Sequence, residues 1–252
     1  MSNLTSLEIN GQRVEVLQLS GDTHQPPLVL LHEGLGSVEL WRRFPADLHA
    51  ATGRRLVAFS RYGNGHSQKP LIPRTAAFFH AEALEVLPEL CAQLDIEAPV
   101  LVGHSDGASI ALIHAAHRPV DRLVLMAPHV FVEPVTVDAI RATREKYVSG
   151  SLRERLTRYH DDVDAAFWGW CDVWLDPSFA SWDLGDEAAR LSRPTLLIQG
   201  SEDPYGTMAQ LDRIERAAQS STRLLVLSGG HSPHLEHPKH VVDAIRNFLA
   251  AA

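Results

Sequence analysis

The chain is punctuated by short, mostly apolar runs at residues 28–32, 56–59, 100–103, 122–126, 195–199 and 223–227, each four or five residues long. Runs of that length without polar alternation predict strands buried on both faces. Between them, residues 76–93, 107–117, 207–219 and 238–251 carry apolar side chains at three- and four-residue spacing, which predicts amphipathic helices. Strands alternating with helices imply a mostly parallel sheet covered on both faces. The chain opens differently. Residues 4–9 and 14–19 flank Asn10-Gly11, a dipeptide that accepts positive φ and predicts a tight hairpin. With that pair the expected sheet has eight strands.

The interval 129–191 breaks the alternation, with amphipathic segments at 137–148 and 152–160 followed by an aromatic cluster at 167–174. It reads as a helical cap inserted into a core made of residues 1–128 and 192–252. Such an insertion is expected over the C-terminal edge of the sheet, where open α/β folds bind ligands. Trp168, Trp170, Trp174 and Trp182 are four of the five tryptophans and all fall in it. Most are expected to pack the cap onto the core, and one or two of Trp168, Trp170 and Trp174 to line a pocket for an apolar or aromatic substrate.

One strand run ends abruptly in Gly103-His104-Ser105-Asp106-Gly107, after which helical spacing resumes. A serine hydroxyl is a poor nucleophile until a base takes its proton, so a fold that uses one presents it on an exposed, tight turn. Two glycines leave room where strand and helix backbones crowd. In a strand-turn-helix setting an acid should follow after a later strand and a histidine after the last. Asp203 lies just past the run at 195–199, and His231 just past the run at 223–227. The expected roles are nucleophile for Ser105, base for His231 and orienting acid for Asp203.

These segments together resemble the α/β-hydrolase superfamily from Leu28 to the C-terminus. Leu28-Val29-Leu30-Leu31-His32-Glu33-Gly34 is similar to the strand and His-Gly loop of that family, Ser60 to Ser67 to its Gly-x-Gly-x-Ser turn, and Gly230-His231-Ser232-Pro233-His234-Leu235-Glu236-His237-Pro238 to its histidine loop. The resemblance implies an α/β-hydrolase fold, a serine hydrolase with a helical cap, and an oxyanion hole made by the backbone N–H groups of Gly34 and Asp106. Two residues depart from the pattern. Glu33 stands where glycine usually follows the loop histidine, and Ser60 where an acid is common. An ionised, unpaired carboxylate roughly 4 Å from a forming oxyanion would cost several kcal/mol. Glu33 is therefore expected to pair with Arg61, or, as the rival reading, to face the cavity and recognise a polar or basic group. The side chain of Asp106 is expected to be solvated or to cap the helix start. His32 and His104 are expected to pack, without a part in proton transfer.

Composition narrows the function further. A net charge of −8 without a run of lysines or arginines gives no footprint for nucleic acid or an anionic membrane, and no apolar run reaches spanning length. Two cysteines, Cys91 and Cys171, and no leader-like N-terminus point to a reducing cytoplasm. His231, His234, His237 and His240 recur every third residue, but Pro233 and Pro238 break the helix that would bring them together, so no metal is expected and no cofactor is implied. The expected partner is a small-molecule substrate, and the chain a monomer or small homo-oligomer. Ester, thioester or lactone hydrolysis leads. Carbon–carbon bond hydrolysis of aromatic ring-cleavage products remains an alternative, although those enzymes often place tryptophan after the histidine where Ser232 stands. A non-catalytic ligand receptor is the alternative of a different class.

Overall fold

Asn10 and Gly11 take φ values of 47° and 76° and close the hairpin between β1 (Ser2–Ile9) and β2 (Gln12–Leu19), as the dipeptide predicts. The computed structural model describes residues 2–251. Six more strands follow: β3 (Leu28–Leu31), β4 (Leu56–Phe59), β5 (Val100–His104), β6 (Arg122–Met126), β7 (Thr195–Gly200) and β8 (Thr222–Leu227). They form one sheet in the order β1-β2-β4-β3-β5-β6-β7-β8. The first two pairings are antiparallel and the rest parallel. The strand order reverses around β3, so the carboxyl ends of β3 and β5 lie side by side at a topological switch point. Open α/β sheets form their binding crevice there.

Alternate residues of the buried strands feed two separate cores. Leu28, Leu30, Leu56, Ala58, Val100 and Val102 face helices α1 (Phe44–Thr52) and, at the far end of the chain, Pro238–Ala250. Val29, Leu31, Val57, Phe59 and Leu101 face the other way, onto α2 (Phe78–Ala81), α3 (Leu87–Gln93) and α4 (Asp106–His117). The sequence pattern gives no sign of α1, whose apolar face is short. Its marks are Pro45 in the first turn and Gly53 in the left-handed conformation (φ 68°) at the end. The predicted helix at 76–93 is present with a π-helical turn, Glu82–Val86, between α2 and α3. Pro88 explains it, because a proline ring clashes with the carbonyl four residues earlier and a widened turn relieves the clash.

Between β6 and β7 the chain builds α5 (Pro134–Val148), α6 (Ser151–Leu156), α7 (Val163–Leu175) and α8 (Gly185–Ala189). An aromatic cluster ties this segment down, with Trp174 edge-on to Phe79 and Phe179 at centroid distances of 6.0 and 5.1 Å. Helix α9 (Ala209–Ala217), α10 (Pro233–Glu236) and α11 (Pro238–Ala250) complete the chain. No helix among the described residues is long and apolar enough to cross a membrane.

Where β3 and β5 meet α4, the backbones touch. A Cβ on Gly107 would fall inside contact distance of the Leu31 and His32 carbonyls, and one on Gly103 would meet the backbone of Gly107 and Ala108. Nothing flexible can yield there. Gly107→Ala should therefore lower stability by roughly 3 kcal/mol, as forced overpacking of rigid backbone does. Urea unfolding monitored by circular dichroism measures it, and an unchanged midpoint would show that the strand and helix can separate.

Candidate active site

The turn from β5 into α4 holds Ser105 at φ 54° and ψ −121°, a conformation that costs a non-glycine residue on the order of 1–3 kcal/mol. Backbone bonds hold it in place: the Ser105 N–H donates to Met126 O at 2.9 Å, and Ser105 O accepts from Ala108 at 2.8 Å. The strain aims Oγ at the crevice, where it lies 2.9 Å from His231 Nε2. His231 Nδ1 lies 2.7 Å from Asp203 Oδ2. A carboxylate only accepts, so Nδ1 carries the proton and Nε2 is left to accept from the serine.

Each member of this line is fixed by its own surroundings. Asp203 sits on the turn after β7, its Oδ1 taking the Tyr205 N–H at 2.8 Å and its Oδ2 a bond from Gln199 Nε2 at 2.8 Å. Burial alone would raise the Asp203 carboxyl, but the His231 hydrogen bond and charge together hold it below the ordinary range. The loop bearing His231 is cinched by Glu236, which accepts from Gly230 N–H at 2.7 Å and Ser232 N–H at 3.1 Å. His104 Nε2 meets the His231 carbonyl at 2.7 Å, so His104 supports the loop from below.

These residues border a half-open cavity of about 190 Å³. Ser105, His231, Gly34 and Asp106 line it, and no backbone carbonyl among the described residues takes the Gly34 or Asp106 N–H. Trp170 lies so close over Gly34 that a Cβ there would enter the indole ring. Trp170 and Trp174, one helical turn apart on α7, both line the cavity. Trp168 does not. Two residues before Trp170, it points off that face and packs edge-on to Tyr147 and Phe167 at 5.7 and 5.1 Å, which corrects its place among the pocket candidates.

Two expectations about charge are corrected as well. Arg61 does not pair with the Glu33 carboxylate. Its guanidinium, 1% exposed, donates to the backbone carbonyls of His32 and, at 2.9 Å, Glu33, while its own N–H donates to His32 Nε2 at 3.0 Å. A planar fork of N–H groups suits two successive carbonyls left unpaired where a strand ends. Glu33 is instead among the residues that line the cavity and a smaller pocket beside Gly36, with Oε2 buried and unpartnered. Burial raises its carboxyl to about 7 against the pull of Arg61 and His231. The Asp106 side chain is neither solvated nor capping: it is buried and accepts from Trp174 Nε1 at 3.1 Å. The acid absent at Ser60 comes from β2, where Glu15 Oε2 accepts from Ser60 Oγ at 2.6 Å.

Some lining residues escape the sequence reading. His129 follows β6 by three positions and Tyr205 follows Asp203 by two, both at carboxyl ends of strands, and that location is the signal that could have found them. Thr136 and Ile140, one turn apart on α5, carry no such signal.

The sheet, and the crevice on the loops after its parallel strands, define a fold of the α/β-hydrolase type. A model of the alpha/beta hydrolase family matches residues 28–245, and the chain belongs to that family. Among curated proteins it is 26% identical over 261 residues to mouse (Mus musculus) sn-1-specific diacylglycerol lipase ABHD11, covering 92% of this chain and 83% of that one. Among solved structures it is similar to a membrane phospholipase A described as a bacterial virulence factor, with a TM-score of 0.81, 19% identity, and coverage of 98% of this chain and 86% of that one. It is also similar to the enol-lactonase of Burkholderia xenovorans LB400, with a TM-score of 0.77, 20% identity, and coverage of 98% and 100%. At those identities the structural likenesses speak for the fold.

Uncharged histidines crowd around the crevice. Burial holds His104 well below the imidazole range, and His129 and His234 down to about 3. Burial likewise lowers His32, His114 and His160. In the unfolded chain each takes a proton below about pH 6.5, and in the folded chain it does not, so unfolding takes up protons. Their contribution to stability is complete above about 6.5 and is lost as pH falls toward their folded values. Glu33, Glu82 and Asp106, raised by burial, and His66, raised by its bond to Asp161, act in the opposite sense but are outnumbered. Calorimetry should therefore show Tm falling from pH 7 to pH 5. His234→Gln should flatten the slope by about one proton, or about 1.4 kcal/mol per pH unit. A Tm that does not move over that range would mean that these rings are charged in the folded state.

Proposed function

We propose that this chain is a serine hydrolase that cleaves the carboxylic ester, or lactone, of a small and largely apolar substrate through an acyl-enzyme. The observation that carries the reading is the unbroken line from Ser105 Oγ through His231 to Asp203, with spacings of 2.9 and 2.7 Å, opening onto a cavity.

In this reading Ser105 Oγ attacks the scissile carbonyl carbon while His231 Nε2 takes its proton. Asp203 keeps the imidazole in the Nδ1–H tautomer and stabilises the cation that forms. The oxygen of the tetrahedral intermediate takes hydrogen bonds from the Gly34 and Asp106 amides, and each such donor is worth roughly 3 kcal/mol. His231 then protonates the leaving alcohol. Water enters, gives its proton to His231, and attacks the acyl carbon to release the acid and restore Ser105.

Residues 129–191 act as the cap and set the substrate's size. A cavity of roughly 150 Å³ holds benzene, so 190 Å³ suits a single ring or a short acyl chain. Leu35, Ile140, Trp170 and Trp174 supply the apolar wall. The relative named for a diacylglycerol lipase supports an ester as the bond that breaks.

A panel of p-nitrophenyl esters and lactones tests the reading. Short or single-ring acyl groups should turn over best. Ser105→Ala should lose at least ~10³-fold in turnover with its fold preserved, because the covalent bond is made through that hydroxyl. A fluorophosphonate should label the parent at Ser105 and leave the variant untouched. A folded parent that takes no label and hydrolyses nothing on the panel would instead be a binding protein on this fold.

A further inference from the structure

Glu33 stands in the cavity wall without a task in the steps above. Its backbone carbonyl is taken by Arg61, and its side chain is free of that partner. Oε2 is buried with no hydrogen bond, while the residue joins Ser105 and Gly34 in the lining. Beneath it the charges are already matched. The buried guanidiniums of Arg61 and Arg74 feel the carboxylates of Glu82 and Asp106, and Asp106 is further engaged by Trp174. An ionised Glu33 shares Arg61 with Glu82 and Asp106 and so is only partly compensated, a buried charge that is costly unless a further cation joins it.

The rest of the wall suits that cation. The lining contains no lysine or arginine. His129, at about 3, is neutral. Trp170, Trp174 and Tyr205 contribute three aromatic rings, whose faces attract a desolvated cation by on the order of 1–2 kcal/mol. The chain as a whole carries a charge of −8, which favours the approach of a cationic molecule.

We propose that Glu33 is a specificity-determining residue that receives a substrate ammonium, so that the ester taken by this cavity carries a primary or secondary amine near its scissile carbonyl. This rests on the cavity at Ser105 being the substrate site. The ammonium donates to the Glu33 carboxylate and lies against the aromatic wall. A neutral group of the same shape gains neither contact and leaves the carboxyl buried. Burial raises Glu33 to about 7, with Arg61, His231 and the Leu35 N–H opposing and Asp106 adding to the rise. Ammonium binding therefore expels a proton from Glu33, and affinity strengthens as pH climbs from 6 to 8.

Benzylammonium and benzyl alcohol differ little in shape, and each approaches the size of the cavity. Titration calorimetry on the full chain carrying Ser105→Ala reads their binding with no turnover involved. Benzylammonium should bind at least tenfold more tightly at pH 8, by about 1.4 kcal/mol, and more weakly at pH 6. Adding Glu33→Gln should abolish the preference, and Glu33→Asp should retain part of it. Equal affinities, a preference that survives Glu33→Gln, or an affinity flat from pH 6 to 8 would each overturn the proposal. The last reading needs no change at Glu33 and stands even if those variants fail to fold. Because nothing is hydrolysed, failure here is separate from failure of the ester panel and the fluorophosphonate label.

Discussion

The close approach of three backbones at the switch point governs this structure. Strand β5 ends beside β3, and α4 starts so near the end of β3 that Gly107 has no space for a Cβ against Leu31 and His32. That crowding leaves the chain one way to turn from strand to helix, with Ser105 at positive φ. Strain of this kind persists only where the surroundings over-determine it. Here they do, through α4, which is buried from Asp106 to His114, and through the bond that the serine amide donates to Met126 O of β6. The same packing that stabilises the sheet sets the direction of the serine hydroxyl, so loosening it would weaken fold and site together.

A second layer of order comes from polar groups that satisfy the loops. Arg61 binds two successive carbonyls of the loop after β3, Glu236 binds two amides of the histidine loop, and Glu15 reaches from β2 to Ser60. Arg61 and Glu236 replace hydrogen bonds that strand ends leave unmade, a need that follows from burying backbone away from water, while Glu15 accepts from a buried hydroxyl. These contacts span residues far apart in sequence. They position the loops to the accuracy that a line of hydrogen bonds from serine to carboxylate requires.

Most of the fold was legible because strands β3 to β7 are buried on both faces and so read as uninterrupted apolar runs, whereas β8 is an exposed edge strand whose run is apolar all the same. Strands β4 and β6 fall where their runs lie, and Asn10-Gly11 forms the turn its chemistry demands. Helix α1 was not legible, since its apolar face is short and its end signals, Pro45 and Gly53, are common in loops too. At the site, Ser105, Asp203 and His231 could be chosen from strand ends and chain order alone. The partner of Arg61 could not, because sequence shows which charges exist but not whether a guanidinium turns to a carboxylate or to a carbonyl. Trp168 fell to the same limit, since an aromatic cluster on one helix contains both inward and outward faces.

Buried polar atoms without partners are few in a native protein, and their distribution carries information. Among the described residues half of them adjoin the crevice. Glu33 Oε2 and His129 Nδ1 belong to residues of the cavity wall, Gln199 Oε1 to the residue that bonds Asp203, and His234 Nδ1 to a ring packed on His104. The others, Trp41 Nε1, Arg61 Nε, Glu82 Oε2 and Trp182 Nε1, belong to residues outside the cavity lining. Local rules of satisfaction fail where a site is kept ready for a ligand. The carboxyls of Glu33 and Glu82 differ in kind, since a neutral imidazole can remain unpaired at modest cost whereas a carboxyl must hold its proton or find a counter-charge, and of the two only Glu33 lines the cavity at Ser105. Arg61 holds the loop through the Glu33 backbone and not through the carboxyl, so the charge of that carboxyl falls on what occupies the cavity.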